Sequence, residues 1–290
     1  MPVYERGYKH WEPSGRKASP PWWVIARRGI AAPLKRRVFL LLLMIAWVPA
    51  IVKGGILYFT FKAGQLFDAG SLVRLVGGGW ASIEAPGFFT FLTWQKYFVL
   101  IFTTIVGARL IAKDRQENGL ALYFARPVTL VDYVLGKSLI IMFYYFTVTL
   151  FPLYALAIFG YLVTAGATGL EMLVEIPLRA TLFCTLTGLS LSLVLLALSS
   201  MGRRAVFITV GWVLIYLGTE QIANIVTLFG NKWLRIVDFP GQYFQAGAFI
   251  FQASPPYDLS PWLSFLVVAG YTLGACLILR DRIRPVEVVS

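Results

Sequence analysis

The chain has 290 residues, of which 58% are hydrophobic and only 14% are charged, and its formal net charge is +12. Soluble domains carry about 25% charged residues, so this composition excludes an ordinary soluble domain and indicates a protein embedded in lipid. The positive charge does not call for nucleic acid as a partner, because most of it falls where anionic lipid headgroups would attract it.

The N-terminal region divides into two parts. Residues 1–20 mix charged residues with proline and glycine and show no periodicity, which predicts a flexible cytoplasmic tail. Residues 21–37 predict an amphipathic helix in the membrane interface, since Trp23, Ala26 and Ile30 share one helical face and basic residues occupy another. The alternative is a simple juxtamembrane anchor that fixes topology. In either case the expected interface anchors are Trp22, Trp23, Arg27, Arg28 and Lys35.

Six apolar runs follow, each near the roughly 20 residues that an α-helix needs to cross a bilayer. They predict an all-α integral membrane protein in which residues 38–290 form a six-helix transmembrane domain. The first run is too long and too far from the start to be a cleaved signal peptide. The predicted helices are approximately Val38–Thr60, Phe89–Ala112, Ser138–Val163, Leu178–Ser199, Ala205–Leu228 and Trp262–Leu279.

The distribution of lysine and arginine predicts the orientation, since these residues accumulate on the cytoplasmic side. With a cytoplasmic N-terminus, the inner segments hold nine of them in 1–37, four in 113–137, two in 201–204 and three in 280–290. The outer loops and helix ends hold seven, including Lys96. Both termini are therefore predicted to be cytoplasmic.

The most polar internal stretch, residues 113–137, ends in Gly136-Lys137 followed by serine, the letters that close a phosphate-binding loop. Such a loop also needs a glycine five residues earlier and a preceding apolar strand, whereas Val131 stands there. Thr129 and Asp132 have instead the spacing of a helix N-cap with an acidic N3 partner. We therefore expect Gly136 and Lys137 near the start of the third helix, in a structured cytoplasmic connector.

The outer loops are predicted from turn-forming and aromatic composition. Residues 61–88 contain glycine and proline turns, and residues 164–177 form a short acidic loop. Residues 229–260 are rich in aromatic rings and are expected to lie at or dip into the outer interface. Cys184 and Cys276 are predicted at different membrane depths, too far apart to bridge, and to act as small apolar packing residues.

One acid, Glu220, lies inside an apolar run. Tyr216, Glu220 and Asn224 recur every four residues and so share a helical face. An ionisable group within a span is costly and usually faces the bundle or a wet cavity. Two interpretations stay open: an interfacial or interhelical hydrogen bond, or a substrate path or gate lined by these three residues. Lys53, late in the first helix, is expected to snorkel outward.

No pattern typical of catalysis or metal binding is present. The single histidine, His10, lies in the predicted tail, and the sequence has no HExxH, Cys/His cluster or Gly-x-Ser-x-Gly. We therefore expect no catalytic residue, metal site or cofactor in this chain.

A family resemblance comes from residues 111–137, "IAKDRQENGLALYFARPVTLVDYVLGK". An Ile-Ala pair, an acidic-Arg pair, a glycine, an apolar run, Arg-Pro-Val and a final Tyr-Val-Leu-Gly-Lys resemble the connector between helices two and three of ABC-2 type transporter permeases. The chain differs from the commoner form at Asn118 and in "YFARPV". The basic helix before the first span and the six-helix count match the same family.

This resemblance implies a transmembrane permease subunit, an exporter of the bacterial or archaeal cytoplasmic membrane, driven by a separate ATPase subunit that uses ATP and Mg. A second permease copy, or a related permease, and membrane lipids are the other implied partners. The implied ATPase-coupling residues are Asp114, Arg115, Glu117, Gly119, Arg126, Pro127, Gly136 and Lys137. The alternatives are a membrane-embedded lipid-modifying enzyme and an ATP-independent transporter or channel.

Overall fold

The computed structural model describes residues 19–64, 80, 82–117, 119, 128–164, 171–202, 204–227 and 232–283, and within them it contains helices and turns but no strand. The predicted tail 1–20 lies almost entirely outside these residues. The α-helices are α1 (Pro21–Leu34), α2 (Arg37–Gly64), α3 (Ala85–Gly107), α4 (Leu110–Gln116), α5 (Leu130–Val148), α6 (Leu150–Val163), α7 (Ile176–Met201), α8 (Ala205–Val213), α9 (Thr219–Thr227), α10 (Phe239–Phe251) and α11 (Pro261–Arg282).

Six helical segments are long and apolar enough to cross a membrane, which confirms the predicted number and indicates a multi-pass membrane protein. Span 1 is α2, span 2 joins α3 to α4, span 3 joins α5 to α6, span 5 joins α8 to α9 through a π-helical turn at Leu214–Gly218, and span 6 is α11. Span 4 is α7 with the π-helical turn at Glu171–Glu175 that precedes it. We call the end of the bundle that carries α4 and the start of α5 the connector end.

The helices extend past the apolar runs that predicted them, because local capping rather than hydropathy ends a helix. Span 3 begins at Leu130 instead of near Ser138. The residue before it, Thr129, forms the predicted capping box with Asp132. The Thr129 Oγ1 accepts from the Asp132 backbone N–H at 3.1 Å, and the Asp132 carboxylate accepts from the Thr129 N–H at 3.2 Å. These bonds satisfy backbone donors that a helix start otherwise leaves unpaired.

Span 4 lies at the centre of the bundle and contacts spans 2, 3, 5 and 6 as well as α10. Its side chains Phe183, Cys184, Leu191 and Leu195 are buried in the main hydrophobic core. Cys184 is buried and Cys276 is exposed, and neither forms a disulfide, as predicted. Spans 1, 5 and 6 leave most of their apolar surface uncovered within the chain.

Helix α1 packs along span 3, and the two helices approach each other closely at Gly136. Ala26 is fully buried, and a Cβ added at Gly136 would lie 2.9 Å from both the Ile25 side chain and the Trp22 carbonyl oxygen. Close approach of the two helices therefore depends on the missing side chain at Gly136. Trp23, three residues before Ala26 on the same helix, is 46% exposed. Arg27, Arg28 and Lys35 are exposed as well, while Trp22 is half-buried.

The aromatic segment predicted at 229–260 contains the helix α10 where a loop was expected. α10 packs against spans 2, 4, 5 and 6 and buries Phe239, Tyr243 and Phe251. Asp238 caps its first turn by accepting from the Gly241 N–H at 2.9 Å, and it also accepts from the Tyr257 hydroxyl. Burial raises the pKa of the Asp238 carboxyl, and those two hydrogen bonds oppose the rise. The Gln245 amide ties α10 to the chain after it by donating to the Tyr257 and Leu259 carbonyls at 2.9 and 2.8 Å.

Lys53 does not snorkel toward solvent as expected. Its side chain is fully buried, and its Nζ donates to the Trp80 carbonyl at 2.9 Å. The ammonium also lies 5.9 Å from the centre of the Trp80 ring and 5.4 Å from that of Phe88. A backbone oxygen and two ring faces replace water around the charge, so Lys53 holds span 1 against the segment that leads into span 2.

Candidate functional site

The connector end of the bundle is organised around Asp114, in the last turn of α4. Its Oδ2 lies 2.8 Å from the Lys137 Nζ and accepts from the Tyr133 hydroxyl at 2.7 Å. The Lys137 Nζ also donates to the Leu110 carbonyl at 3.2 Å. Only 8% of the Lys137 side chain and 16% of the Asp114 side chain are exposed, so this ion pair has little water around it. It joins the end of span 2 to the start of span 3.

Span 4 completes this arrangement through Ser199. Its hydroxyl accepts from the Ile111 and Ala112 N–H groups, both at 3.2 Å, and donates to the Ala108 carbonyl at 3.1 Å. Span 2 turns between Gly107 and Leu110, so α4 starts with unpaired backbone donors that Ser199 satisfies from another helix. We call Asp114, Tyr133, Lys137 and Ser199 the connector cluster. It fixes the ends of three spans relative to one another.

The predicted coupling residues fall into two groups in the structure. Asp114, Arg115 and Lys137 face the bundle: Arg115 donates to the Ser200 carbonyl at the end of span 4. Glu117 faces away, with 64% of its side chain exposed, and lies 3.7 Å from the equally exposed Lys113.

The two predicted glycines have packing roles. Gly119 packs near the backbone of Asp114, where an added Cβ would lie 3.3 Å from the carbonyl oxygen. Gly136 lies under α1. Arg126 and Pro127 are outside the described residues, as is the apolar run at 120–124.

Gly136 and Lys137 lie within α5, as predicted, and together with Ser138 they are buried there. The Gly136 backbone is covered by α1, and the Lys137 ammonium is already engaged by Asp114 and the Leu110 carbonyl. A phosphate needs a concave set of free backbone N–H groups, whereas these N–H groups belong to the interior of a helix. This segment is therefore a structural joint.

A second polar site lies within the spans. Lys96 of span 2 and Glu220 of span 5 form an ion pair with 2.6 Å between Nζ and Oε1, and 18% and 19% of their side chains are exposed. Tyr216 is buried one turn before Glu220, in the π-helical turn of span 5. Asn224, one turn after Glu220 in α9, is exposed, and its Oδ1 accepts from Arg235 at 3.3 Å. The structure thus brings together two of the three predicted path residues.

A small cavity of about 20 Å³ lies beside this pair, at the centre of the bundle. Most of its wall is apolar or aromatic, and Lys96 is the one charged side chain among the residues that line it. The polar contributions come from tyrosine and threonine hydroxyls. The lining residues are Leu92, Lys96, Val99, Tyr145, Thr149, Phe183, Thr187, Leu191, Tyr216, Pro240, Tyr243 and Phe244.

Sequence reasoning missed Lys96, Tyr133 and Ser199. Lys96 was counted as a helix-end residue, although it lies seven residues inside the predicted helix that starts at Phe89, and a lysine at that depth was a usable signal. Tyr133 and Ser199 carried no such signal, because a tyrosine in a helical first turn and a serine at a helix end are common. Their roles depend on which helix lies opposite.

Among the residues that the structure describes, no group of three or more histidine, cysteine, aspartate or glutamate side chains could hold a metal ion. No protein-family model matches the chain, and no curated protein is significantly similar to it.

Proposed function

We propose that this chain is the transmembrane permease subunit of an ABC-2 type transporter, an exporter driven by a separate ATPase subunit. The observation that carries the proposal is the connector. Its sequence at 111–137 resembles that of ABC-2 permeases. Its described part is helical and is held against spans 3 and 4 by the contacts of the connector cluster. A subunit that receives force from a motor outside the membrane needs a stiff element at that position.

The proposed orientation places the connector end, α1 and both termini in the cytoplasm of a bacterial or archaeal cell. The exposed Arg27, Arg28 and Lys35 on α1 support this placement, because they would meet the anionic headgroups of the inner leaflet. In the same orientation α1 lies in the membrane interface beside the start of span 3. Glu117 then faces the ATPase.

Force transmission follows from the contacts within the connector. The ATPase binds the exposed surface around Lys113 and Glu117. When the ATPase moves, it displaces α4, which carries Asp114 about one turn before Glu117. Asp114 passes the movement to span 3 through Lys137 and Tyr133, and Ser199 and Ser200 pass it to span 4. Three spans therefore move as one unit when the ATPase binds ATP and Mg. A second permease copy and lipid cover the apolar faces of spans 1, 5 and 6.

The test is co-purification and ATPase activity in nanodiscs. We expect an ATPase to purify with the wild-type chain, and Glu117→Arg to reduce the stimulation of that ATPase at least tenfold, because the change reverses the charge of an exposed contact residue without touching the connector cluster. The matched control is Glu84→Arg, an exposed acid at the other end of the same span, which should leave stimulation unchanged.

Two results would contradict the proposal: a purified chain that brings no nucleotide-hydrolysing partner with it, or equal stimulation by the Glu117→Arg and Glu84→Arg variants.

A further inference from the structure

The ion pair between Lys96 and Glu220 has few other contacts to hold it. Within the described residues, Lys96 is the hydrogen-bond partner of the Glu220 carboxylate, and the Lys96 ammonium otherwise lies 5.1 Å from the centre of the Tyr97 ring. The two residues are 124 positions apart and belong to spans 2 and 5. At the level of Glu220 this ion pair joins spans 2 and 5, and the Trp212–Thr103 hydrogen bond joins the same two spans further along span 5.

Span 5 is built so that this contact can change. Glu220 follows the π-helical turn Leu214–Gly218, and such turns often mark functional positions because their extra residue loosens the regular hydrogen-bond ladder. Above and below the turn, Trp212 donates to the Thr103 hydroxyl at 3.1 Å, and the Thr219 hydroxyl accepts from the Phe239 N–H at 3.1 Å. The turn thus lies between two points that attach span 5 to the bundle.

The cavity next to the pair indicates which kind of ligand Lys96 binds when its contact with Glu220 is broken. Its wall offers aromatic rings from Phe183, Tyr216 and Phe244, and Lys96 is the charged group that reaches it. Asp238 is close enough to act electrostatically on both charges, but its oxygens already accept from Tyr257 and Gly241. A ring-lined wall with one ammonium group matches a ligand that has an acidic group and an aromatic or apolar body.

We propose that Lys96 binds the acidic group of an amphipathic organic anion that enters the bundle between spans 2 and 5, and that Glu220 is an internal competitor for the same ammonium. In this structure the Glu220 carboxylate occupies the position of the ligand's acid. The cavity of about 20 Å³ has room for roughly one water molecule, so the site is closed until the pair opens. Identifying this anion as the cargo rests on the proposed function, whereas its binding does not.

The two partners of the pair give opposite predictions, which separates this proposal from a purely structural role. If the pair only stabilises the bundle, removing either charge has the same kind of effect. If Glu220 competes with a ligand, Glu220→Gln frees the ammonium and strengthens anion binding, while Lys96→Met removes it and abolishes binding. Lys96→Arg keeps the cation and should retain binding.

The experiment measures binding of 2-naphthoate, and of neutral 2-naphthamide as the control probe, to the chain alone in zwitterionic nanodiscs by equilibrium dialysis. We expect Glu220→Gln to bind naphthoate about tenfold more tightly than wild type, which corresponds to a pair that is open in roughly one molecule in ten. We expect Lys96→Met to bind none above the empty nanodisc, and naphthamide to distinguish none of the variants.

The proposal would be overturned if Glu220→Gln and Lys96→Met changed naphthoate binding equally. It would also be overturned if Glu220→Gln gave no gain in naphthoate affinity while the Lys96→Arg variant remained folded. Circular dichroism and size-exclusion profiles of each variant verify folding. Because no ATPase is present, a negative result here leaves the coupling assignment intact, and a failed ATPase co-purification leaves this result intact.

Discussion

The Asp114–Lys137 pair and the Lys96–Glu220 pair have similar lengths, 2.8 and 2.6 Å, but different surroundings. At the connector end, Asp114 also accepts from Tyr133, and Lys137 also donates to the Leu110 carbonyl. Within the spans, the described hydrogen-bond partner of the Glu220 carboxylate is Lys96, whose ammonium also lies 5.1 Å from the centre of the Tyr97 ring, and a cavity lies beside the pair.

This difference shows what each pair can do. A buried charge with several well-placed partners is expensive to disturb, because breaking one contact leaves the other groups without water or a substitute. The connector pair therefore behaves as a rigid joint between spans 2 and 3. A charge with one partner exchanges that partner at the cost of a single contact, so the Lys96–Glu220 pair is suited to open and close.

The largest expected effect is that of Lys137→Met. It leaves the Asp114 carboxylate largely buried and without its cation, which should lower the free energy of unfolding by about 3 kcal/mol. Unfolding by SDS titration in mixed micelles, followed by tryptophan fluorescence, measures this. The matched control is Lys113→Met on α4, the helix that carries Asp114. The Lys113–Glu117 pair is about two-thirds exposed and 3.7 Å long, so this change should alter stability by less than about 0.5 kcal/mol. Similar losses of stability in both variants would mean that the buried Asp114–Lys137 pair contributes no more than the exposed Lys113–Glu117 pair.

Charge reversal sharpens the comparison between the two pairs. In the double variant Lys96→Glu with Glu220→Lys, attraction is restored, so stability should return to within about 1 kcal/mol of wild type. In Asp114→Lys with Lys137→Asp, the introduced acid faces the Leu110 carbonyl, so the exchange should leave a deficit about 1–3 kcal/mol larger. The same SDS titration compares each double variant with its two single variants. Equal recovery at both sites would show that the extra hydrogen bonds do not fix the direction of the connector pair.

The smallest of the three effects concerns the packing under the connector. Gly136→Ala places a Cβ 2.9 Å from Ile25 and from the Trp22 carbonyl, so α1 must shift, at a cost of about 1–2 kcal/mol. Hydrogen exchange of residues 21–34, measured by mass spectrometry, should rise with it. Gly274→Ala is the control: nothing lies within 4 Å of its added Cβ, and the higher helix propensity of alanine should stabilise span 6 by about 0.5–1 kcal/mol. Unchanged exchange in α1 would mean that this helix does not depend on the close approach.

Some features of the molecule could be predicted because they depend on neighbours within a few turns of helix. The six spans follow from apolar runs long enough to cross a bilayer, and the start of span 3 follows from the Thr129–Asp132 capping box. The same local argument correctly placed Gly136 and Lys137 in a helix and excluded a phosphate-binding loop. The helical order of residues 239–251 was not predicted, because aromatic composition alone describes both an interfacial loop and a packed helix.

The sequence by itself determined the all-helical, membrane-embedded class of this protein, the number of spans and the capped start of span 3. Only the tertiary structure decided that Asp114 and Lys137 face each other while Glu117 faces outward, that Lys53 is buried against Trp80, and that Lys96 meets Glu220 across 124 residues. The physical reason is the distance along the chain over which each interaction acts. Hydropathy and capping act between residues on one helix, whereas the partner of a buried charge is chosen by how separate helices pack.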